Sequence, residues 1–354
     1  MFSYSFYTGS RDVKFEISDE NFLYCAEHPH YQTDQTEEEI ICEALDHPIG
    51  NGGFDDVPQN AKVIIIVDDV TRPTPTGRII PFVMERLLKR TSNIAFATAP
   101  GTHRPLTEEE LELKIGRKYM DQYPVYNIDY KEHEKYRYLT TNAQGTRISL
   151  HECVTEADFI ICIGNIGPHN MVGWSGGAKM LQPGVSSEET TTQTHLYYFT
   201  HDQMLDVIGN VNCRARQEID EIGTLVGLNL IINTVLDTEM NVIGVFCGHH
   251  IQAHREGVKF AEKYLCPKIP RKADIVIVSA YPNHVDYWQG MKPLVFSFLG
   301  LKRGGTAIYV FDPPEGLCNN SPAHRETLRH YLDKDKETVL KDLKDGKITD
   351  QVGI

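Results

Sequence analysis

AKVIIIVDDVTRPTP, residues 61–75, is an apolar run that stops on charge. It lacks the alternation of a half-exposed strand, so it reads as a strand covered on both faces, as in a parallel sheet. Asp68, Asp69, Thr71 and Arg72 stand at its carboxyl end, and Pro73 and Pro75 then stop regular structure. Open α/β sheets bind ligands at the carboxyl ends of their buried strands. An Asp-rich turn with a helix cap would use the same two aspartates, and Arg72 is what favours a ligand.

The pattern repeats outward from this strand. Residues 76–90 follow as an amphipathic helix, and NIAFATA (93–99) returns as a strand ending in Pro100, Gly101, Thr102, His103, Arg104 and Pro105. His103 there is either a general base or a turn cap. Thr107 and Glu110 have capping-box spacing for one helix over 107–119. Upstream, residues 1–60 hold two short strands and a helix near 36–45. Downstream, short strands are expected at 124–129 and 146–154, a buried strand at 157–165, a helix at 214–227, a strand pair over 228–248 and a long helix at 250–265.

CPKIPRK (266–272), with two prolines and three basic residues, marks a boundary. It divides the chain into domains at 1–267 and 268–354. Past it come a strand at 273–283, a loop at 284–293 carrying Trp288, Gln289 and Lys292, a helix at 293–301, a strand at 304–316 and two helices. The chain then stops at QVGI (351–354) without the closing element expected there. Strands alternating with helices predict an α/β fold of two domains with mostly parallel sheets flanked by helices.

Composition sets outer bounds. The 354 residues suit two domains, and 41% hydrophobic with 24% charged residues is globular usage, with no apolar run of membrane-spanning length. No secretory signal pattern opens the chain. Eight cysteines without a CxxC pair read as reduced thiols of a cytoplasmic protein. A formal charge of −14 argues against nucleic acid or anionic membrane as a partner.

The densest chemistry is in residues 168–195, PHNMVGWSGGAKMLQPGVSSEETTTQTH, delivered by the 157–165 strand. Gly173, Gly176 and Gly177 allow close backbone approach to a ligand, and His169, Lys179 and His195 offer proton carriers, metal ligands or a nucleophile. Met180 follows Lys179, so this is not a Walker A loop. On spacing alone, a phosphate-binding turn with Lys179 as a point charge leads covalent chemistry.

DDVTRPTP, GTHRP, PHNMVGWSGGAK and TQTH in that order change the balance. His169 lies ten residues before Lys179, and His195 sixteen after it. Over roughly residues 60–310 the chain resembles the lactate racemase family, whose members use a nickel-pincer nucleotide (nickel pyridinium-3,5-bisthiocarboxylic acid mononucleotide). The resemblance implies racemisation or C2 epimerisation of a 2-hydroxy acid by hydride transfer through a 2-keto acid. By it, Lys179 holds the cofactor covalently beside Ser175, Gly176 and Gly177, and His195 ligates nickel. His103 and His169 become the catalytic acid/base pair. Asp69 and Arg72 become substrate residues, joined by Gln289 and Lys292 from the second domain in an interdomain cleft. Cofactor-biosynthesis enzymes are the implied partners.

Asn127-Ile128-Asp129, Gly248-His249 and Trp174 depart from the family pattern. Trp174 is expected to crowd His169 and so to open malate, longer hydroxy acids and sugar acids as substrates beside lactate. A non-catalytic nickel or nucleotide carrier is the alternative, and it would need Lys179 and His195 but no acid/base pair. A related enzyme using hydride transfer for another net reaction is the third reading.

Overall fold

The computed structural model describes residues 1–318 and 322–348, and the QVGI ending lies outside them. The chain forms two compact units. One is His28–Cys266, and the other joins Met1–Glu27 to Pro267–Ile354. This differs from a division at 1–267 and 268–354, because the N-terminal strands bond to the C-terminal segment. Ser279 Oγ donates to the Tyr7 carbonyl at 3.0 Å and the Tyr24 hydroxyl to the Arg271 carbonyl at 2.8 Å.

The larger unit is built on a six-stranded sheet in the order Val242–Gly248, Leu230–Leu236, Phe159–Asn165, Val63–Asp68, Ile94–Ala99, Val125–Tyr126. Neighbours pair in parallel except the first two, which form an antiparallel hairpin at one edge. Residues 63–68 are all buried, as the unbroken apolar run requires. Alternate side chains feed opposite cores. Val63, Ile65 and Val67 meet Ile41, Ile79 and Val83 of the helices Glu37–Asp46 and Thr76–Leu87. Ile64 and Ile66 meet Ala178, Leu181 and Ile219 on the other face. A fully buried Ile contributes roughly 1.5–3 kcal/mol relative to an exposed one, so this strand anchors both layers.

Thr107 and Glu110 form the expected capping box, with Glu110 N donating to Thr107 Oγ1 at 3.3 Å and Thr107 N to Glu110 Oε2 at 2.8 Å. The helix they start ends at Ile115, and Gly116 at φ 92 separates it from the turn Arg117–Met120. The smaller unit has one antiparallel pair, Phe2–Tyr7 with Asp12–Ile17, and one parallel pair, Ala273–Ser279 with Leu301–Val310. The loop expected at 284–293 is instead largely the helix Tyr287–Ser297, capped by Asp286.

No helix among the described residues is long and apolar enough to cross a membrane. All eight cysteines are free, and burial pushes the Cys153 and Cys247 thiols up to about 12, which leaves them unreactive near neutrality.

Candidate active site

The chain leaves Val63–Asp68 for Ile94–Ala99 on one side and later returns to place Phe159–Asn165 on the other. Strand order reverses there, which opens a crevice at the carboxyl ends of the parallel strands. Asp69 follows the first of these strands, His103 the second and His169 the third.

Asp69 is buried. Its Oδ1 accepts Thr71 N at 2.7 Å and Thr71 Oγ1 at 2.5 Å, and its Oδ2 lies 2.6 Å from His103 Nδ1. Burial alone would raise its pKa, but His103 and Arg72 outweigh that and hold the carboxyl far below its usual range. Arg72 Nη1 donates to Thr71 Oγ1 at 2.9 Å, closing a chain from guanidinium to imidazole. The neighbouring Asp68 has a different task. Lys114 Nζ reaches its Oδ1 at 2.7 Å and the carbonyls of Arg72 and Thr74 at 2.9 and 3.2 Å, so a buried ion pair fixes the loop.

His103 sits on a turn whose Gly101 N donates to the Gly184 carbonyl at 2.9 Å. Arg104 locks the next residues by two bonds to Glu110, at 2.7 and 2.8 Å. His169 occupies a two-residue strand paired with Gly173–Trp174, and its Nδ1 accepts Met171 N at 3.1 Å.

Lys179 lies on the 3-10 turn Gly177–Met180, so the glycine-rich stretch is a small hairpin and a turn; no helix starts until Glu188. The loop is bonded from four sides, three of them to its backbone. Gly177 N donates to Asn233 Oδ1 at 2.7 Å, Ser175 Oγ to the Asn165 carbonyl at 2.8 Å, and Arg216 Nη1 to the Gly176 carbonyl at 3.0 Å. His254 Nε2 lies 2.9 Å from the Ser175 carbonyl. Gly176 has φ 83, and a Cβ there would stand 2.7 Å from Asn233 Oδ1, so only glycine fits.

Burial, reinforced by the charges of Arg72 and Arg216, lowers the Lys179 amine to about 7. His195, on the helix Glu188–His201, is lowered by burial and then by Lys179 to about 4. Gln182 Nε2 bonds Thr194 Oγ1 at 2.6 Å and so ties the lysine loop to that helix. Near pH 7 the site thus holds a nucleophilic amine and a neutral imidazole. No cluster of three or more His, Cys, Asp or Glu suited to a metal occurs among the described residues.

Residues 8–206, more than half of the chain, match the lactate racemase N-terminal domain. The chain belongs to the lactate racemase family. It is accordingly a racemase, an isomerase. The lactate racemase of Thermoanaerobacterium thermosaccharolyticum is 26% identical over 315 residues, 87% of this chain and 74% of that protein. The lactate racemase of Lactiplantibacillus plantarum is 27% identical over 312 residues, 86% and 74% of the two chains. The structure of the lactate racemase apoprotein from T. thermosaccharolyticum matches with a TM-score of 0.87 at 24% identity, covering 99% of this chain and 84% of that one. A Thermotoga maritima protein matches at a TM-score of 0.70 and 21% identity, covering 92% and 83%. Both structures share the fold.

In this racemase, Asp69, Arg72 and His103 form one bonded group, and Lys179 feels the charges of Arg72 and Asp69. Gln289 and Lys292 lie on the smaller unit's helix Tyr287–Ser297, where Lys292 Nζ bonds Gln289 Oε1. The three departures from the family pattern turn out to be structural. Trp174 is wholly buried among Ile166, Val235 and Val258 and donates Nε1–H to the Gly209 carbonyl at 2.7 Å, so its ring is core and not the pocket wall expected. Ile128 is core, and His249 stacks on His250. Sequence reasoning missed Lys114, Arg216, Asn233 and His254. Arg216 and Asp220 carry a signal, since both fall among the buried positions of the helix Arg214–Val226.

Proposed function

We propose that this racemase inverts C2 of a small 2-hydroxy acid, with lactate, named for its relatives, as the first candidate, using a nickel-pincer nucleotide attached to Lys179. The observation that carries this reading is the position of Lys179 on a glycine loop held by Asn233, Arg216 and His254, where burial and the two arginine charges lower its amine. The residues present fit the cofactor. Gly176 and Gly177 leave room where a side chain would collide, Lys179 supplies a neutral amine for a thioamide link, and His195 supplies a neutral imidazole for nickel. His195 as a single protein ligand would suit a metal whose remaining donors came from the bound group itself. When bound, the cofactor supplies a hydride acceptor.

The chain's own residues handle binding and the proton. Arg72 is suited to clamp the substrate carboxylate. His103 and His169 handle the hydroxyl proton, which must leave as the 2-keto acid forms. Asp69, with both oxygens engaged by Thr71 and His103, positions the base in place of touching substrate. A carrier would have no use for the Asp69–His103 pair.

The test is intact-mass and nickel analysis of protein produced with the cofactor-synthesis enzymes, followed by assay on each enantiomer of lactate and of larger 2-hydroxy acids. A Lys179-dependent adduct, nickel and interconversion are expected. Loaded protein that leaves every enantiomer unchanged, or protein that takes no adduct, would overturn the proposal.

A further inference from the structure

We propose that His254 is a positioning residue for Lys179: held between Arg255 and the Ser175 carbonyl with its one proton on Nε2, its imidazole fixes the turn from which the lysine is presented. The inference rests on the reading of Lys179 as the attachment point, but its own basis is the bonding at both nitrogens of one ring.

His254 stands in the first turn of the helix Gln252–Leu265, on the buried stripe that also holds Ala253, Gly257, Val258 and Ala261. An apolar side chain would suit that stripe, and a fully buried imidazole is tolerated there only if its polar atoms are bonded. Both are. Arg255 Nη1 lies 2.6 Å from Nδ1, and the Ser175 carbonyl lies 2.9 Å from Nε2. A guanidinium can only donate and a carbonyl can only accept, so Nδ1 carries the lone pair and Nε2 the proton.

A second proton would have to enter at Nδ1 against Arg255, whose guanidinium does not give its own up. Around the ring stand Arg255 on its own helix, Arg216 and Asp220 on the helix Arg214–Val226, and His250; the loop carries Lys179 two residues past Gly177. Only Asp220 is negative, and it is engaged by Arg255 Nη2 and faces Arg216 Nε at 3.3 Å. Burial, and then these cations, hold the ring well below the usual histidine range. His254 is a fixed donor and not a proton carrier.

The bond it donates ends on Ser175, and the ring lies against Gly177, where a Cβ would stand 3.2 Å from Cδ2. Gly176 and Gly177 have φ 83 and 61, and two successive glycines would sample many other conformations if left free. Asn233 holds the Gly177 amide, Arg216 the Gly176 carbonyl and His254 the Ser175 carbonyl, so three successive residues are pinned just before Lys179. Through Arg255 and Asp220, His254 joins Arg216 in one circuit that starts and ends on this loop. Breaking the circuit at the imidazole frees the Ser175 end and leaves the arginine charges that act on Lys179 in place.

Two measurements test this. The first is long-range proton–nitrogen correlation NMR on the cofactor-free full-length protein with nitrogen-15 histidine, the His254 signals being assigned with His254→Gln. The proton is expected on Nε2, unchanged as pH passes from well above to just below the ordinary histidine pKa of about 6.5. A proton on Nδ1, or a ring that charges in the folded protein over that interval, overturns the proposal. The second follows attachment at Lys179 by time-resolved intact mass, in protein supplied with the cofactor-synthesis enzymes. His254→Leu should lower the plateau rate by about 10- to 100-fold, since misplacing a reacting group by about 1 Å costs about 100-fold, with the pH midpoint unmoved. His254→Gln, whose amide donates to Ser175 and accepts from Arg255, should keep most of the rate. Should His254→Leu fail to fold, His254→Asn, whose amide falls short of the carbonyl, takes its place. An unslowed His254→Leu, a moved midpoint, or a His254→Gln as slow as His254→Leu overturns the proposal. Adduct absent from the unaltered protein overturns the reading of Lys179, and this inference with it; adduct at one rate in all variants overturns this inference alone.

Discussion

Arg216→Met tests the support beneath the lysine loop. Arg216 has no exposed surface, donates to the Trp174 and Gly176 carbonyls at 3.2 and 3.0 Å, and stands 3.3 Å from Asp220. Hydrogen bonds from a charged donor contribute about 1.5–3 kcal/mol each. Against this, Nε and Nη2 are buried without a hydrogen bond, Nε having only its ion-pair contact with Asp220, so the guanidinium carries a desolvation penalty that methionine removes. Asp220 keeps a second cation, Arg255, so it is not stranded. A net loss of about 2–4 kcal/mol is expected, which in a unit of this size lowers Tm by about 5–15 °C. The same change removes one of the charges that depress Lys179, so the amine titrates above about 7 and is less nucleophilic at neutral pH. Thermal unfolding of the cofactor-free protein reads the first effect, and competitive labelling of Lys179 across pH reads the second. A Tm at or above that of the unaltered protein, with an unmoved labelling curve, would refute both the support and the electrostatic argument.

Attachment of the cofactor to Lys179 should accelerate as pH rises through about 7 and then level off, because the neutral amine reacts; time-resolved intact mass measures it, and a rate flat across that interval counts against amine attack. His195→Ala should leave the Lys179 adduct in place but lose nickel, and bound nickel at unaltered stoichiometry would remove His195 as a ligand. His195 and His254 both have lowered pKa values, so the unfolded chain binds more protons than the folded one below about 6.5. The cofactor-free protein should therefore lose stability progressively as pH falls from about 6.5 toward 4, seen in denaturant midpoints, and a pH-independent midpoint would contradict the burial of these rings. Trp174→Phe should cost about 1–2 kcal/mol through the lost bond to Gly209 and the reduced burial, yet leave the order of preferred 2-hydroxy acids unchanged; an altered order would return Trp174 to the pocket.

The parallel sheet was legible because residues 63–68, 94–99 and 159–165 are apolar without alternation, and their polar sequels lie at the crevice. The capping box at Thr107 was legible for a similar reason, since local spacing decides it. The helix Tyr287–Ser297 was hidden by Gly290 and Pro293, both inside it, which read as loop residues when only neighbours are weighed. The membership of residues 1–27 depends on bonds to residues more than two hundred positions away, for which no local pattern exists. Asp69 was visible as a site residue, but its direction toward His103 was not, because a carboxylate at a strand end looks the same whether it faces substrate or a neighbouring ring. Trp174 shows the converse, a pocket-like position whose side chain turns into the core.

The strand order also makes the chemistry proposed for Lys179 conditional on folding. Val63–Asp68 pairs with Phe159–Asn165 across some ninety residues of chain, and Lys179 gains its full pKa depression when folding buries it and brings in Arg72, from before that span, and Arg216, from after it. In an unfolded copy the same lysine is an ordinary ammonium near pH 7. Were a cofactor to attach there as proposed, it would therefore mark chains whose sheet has closed and pass over those not yet folded.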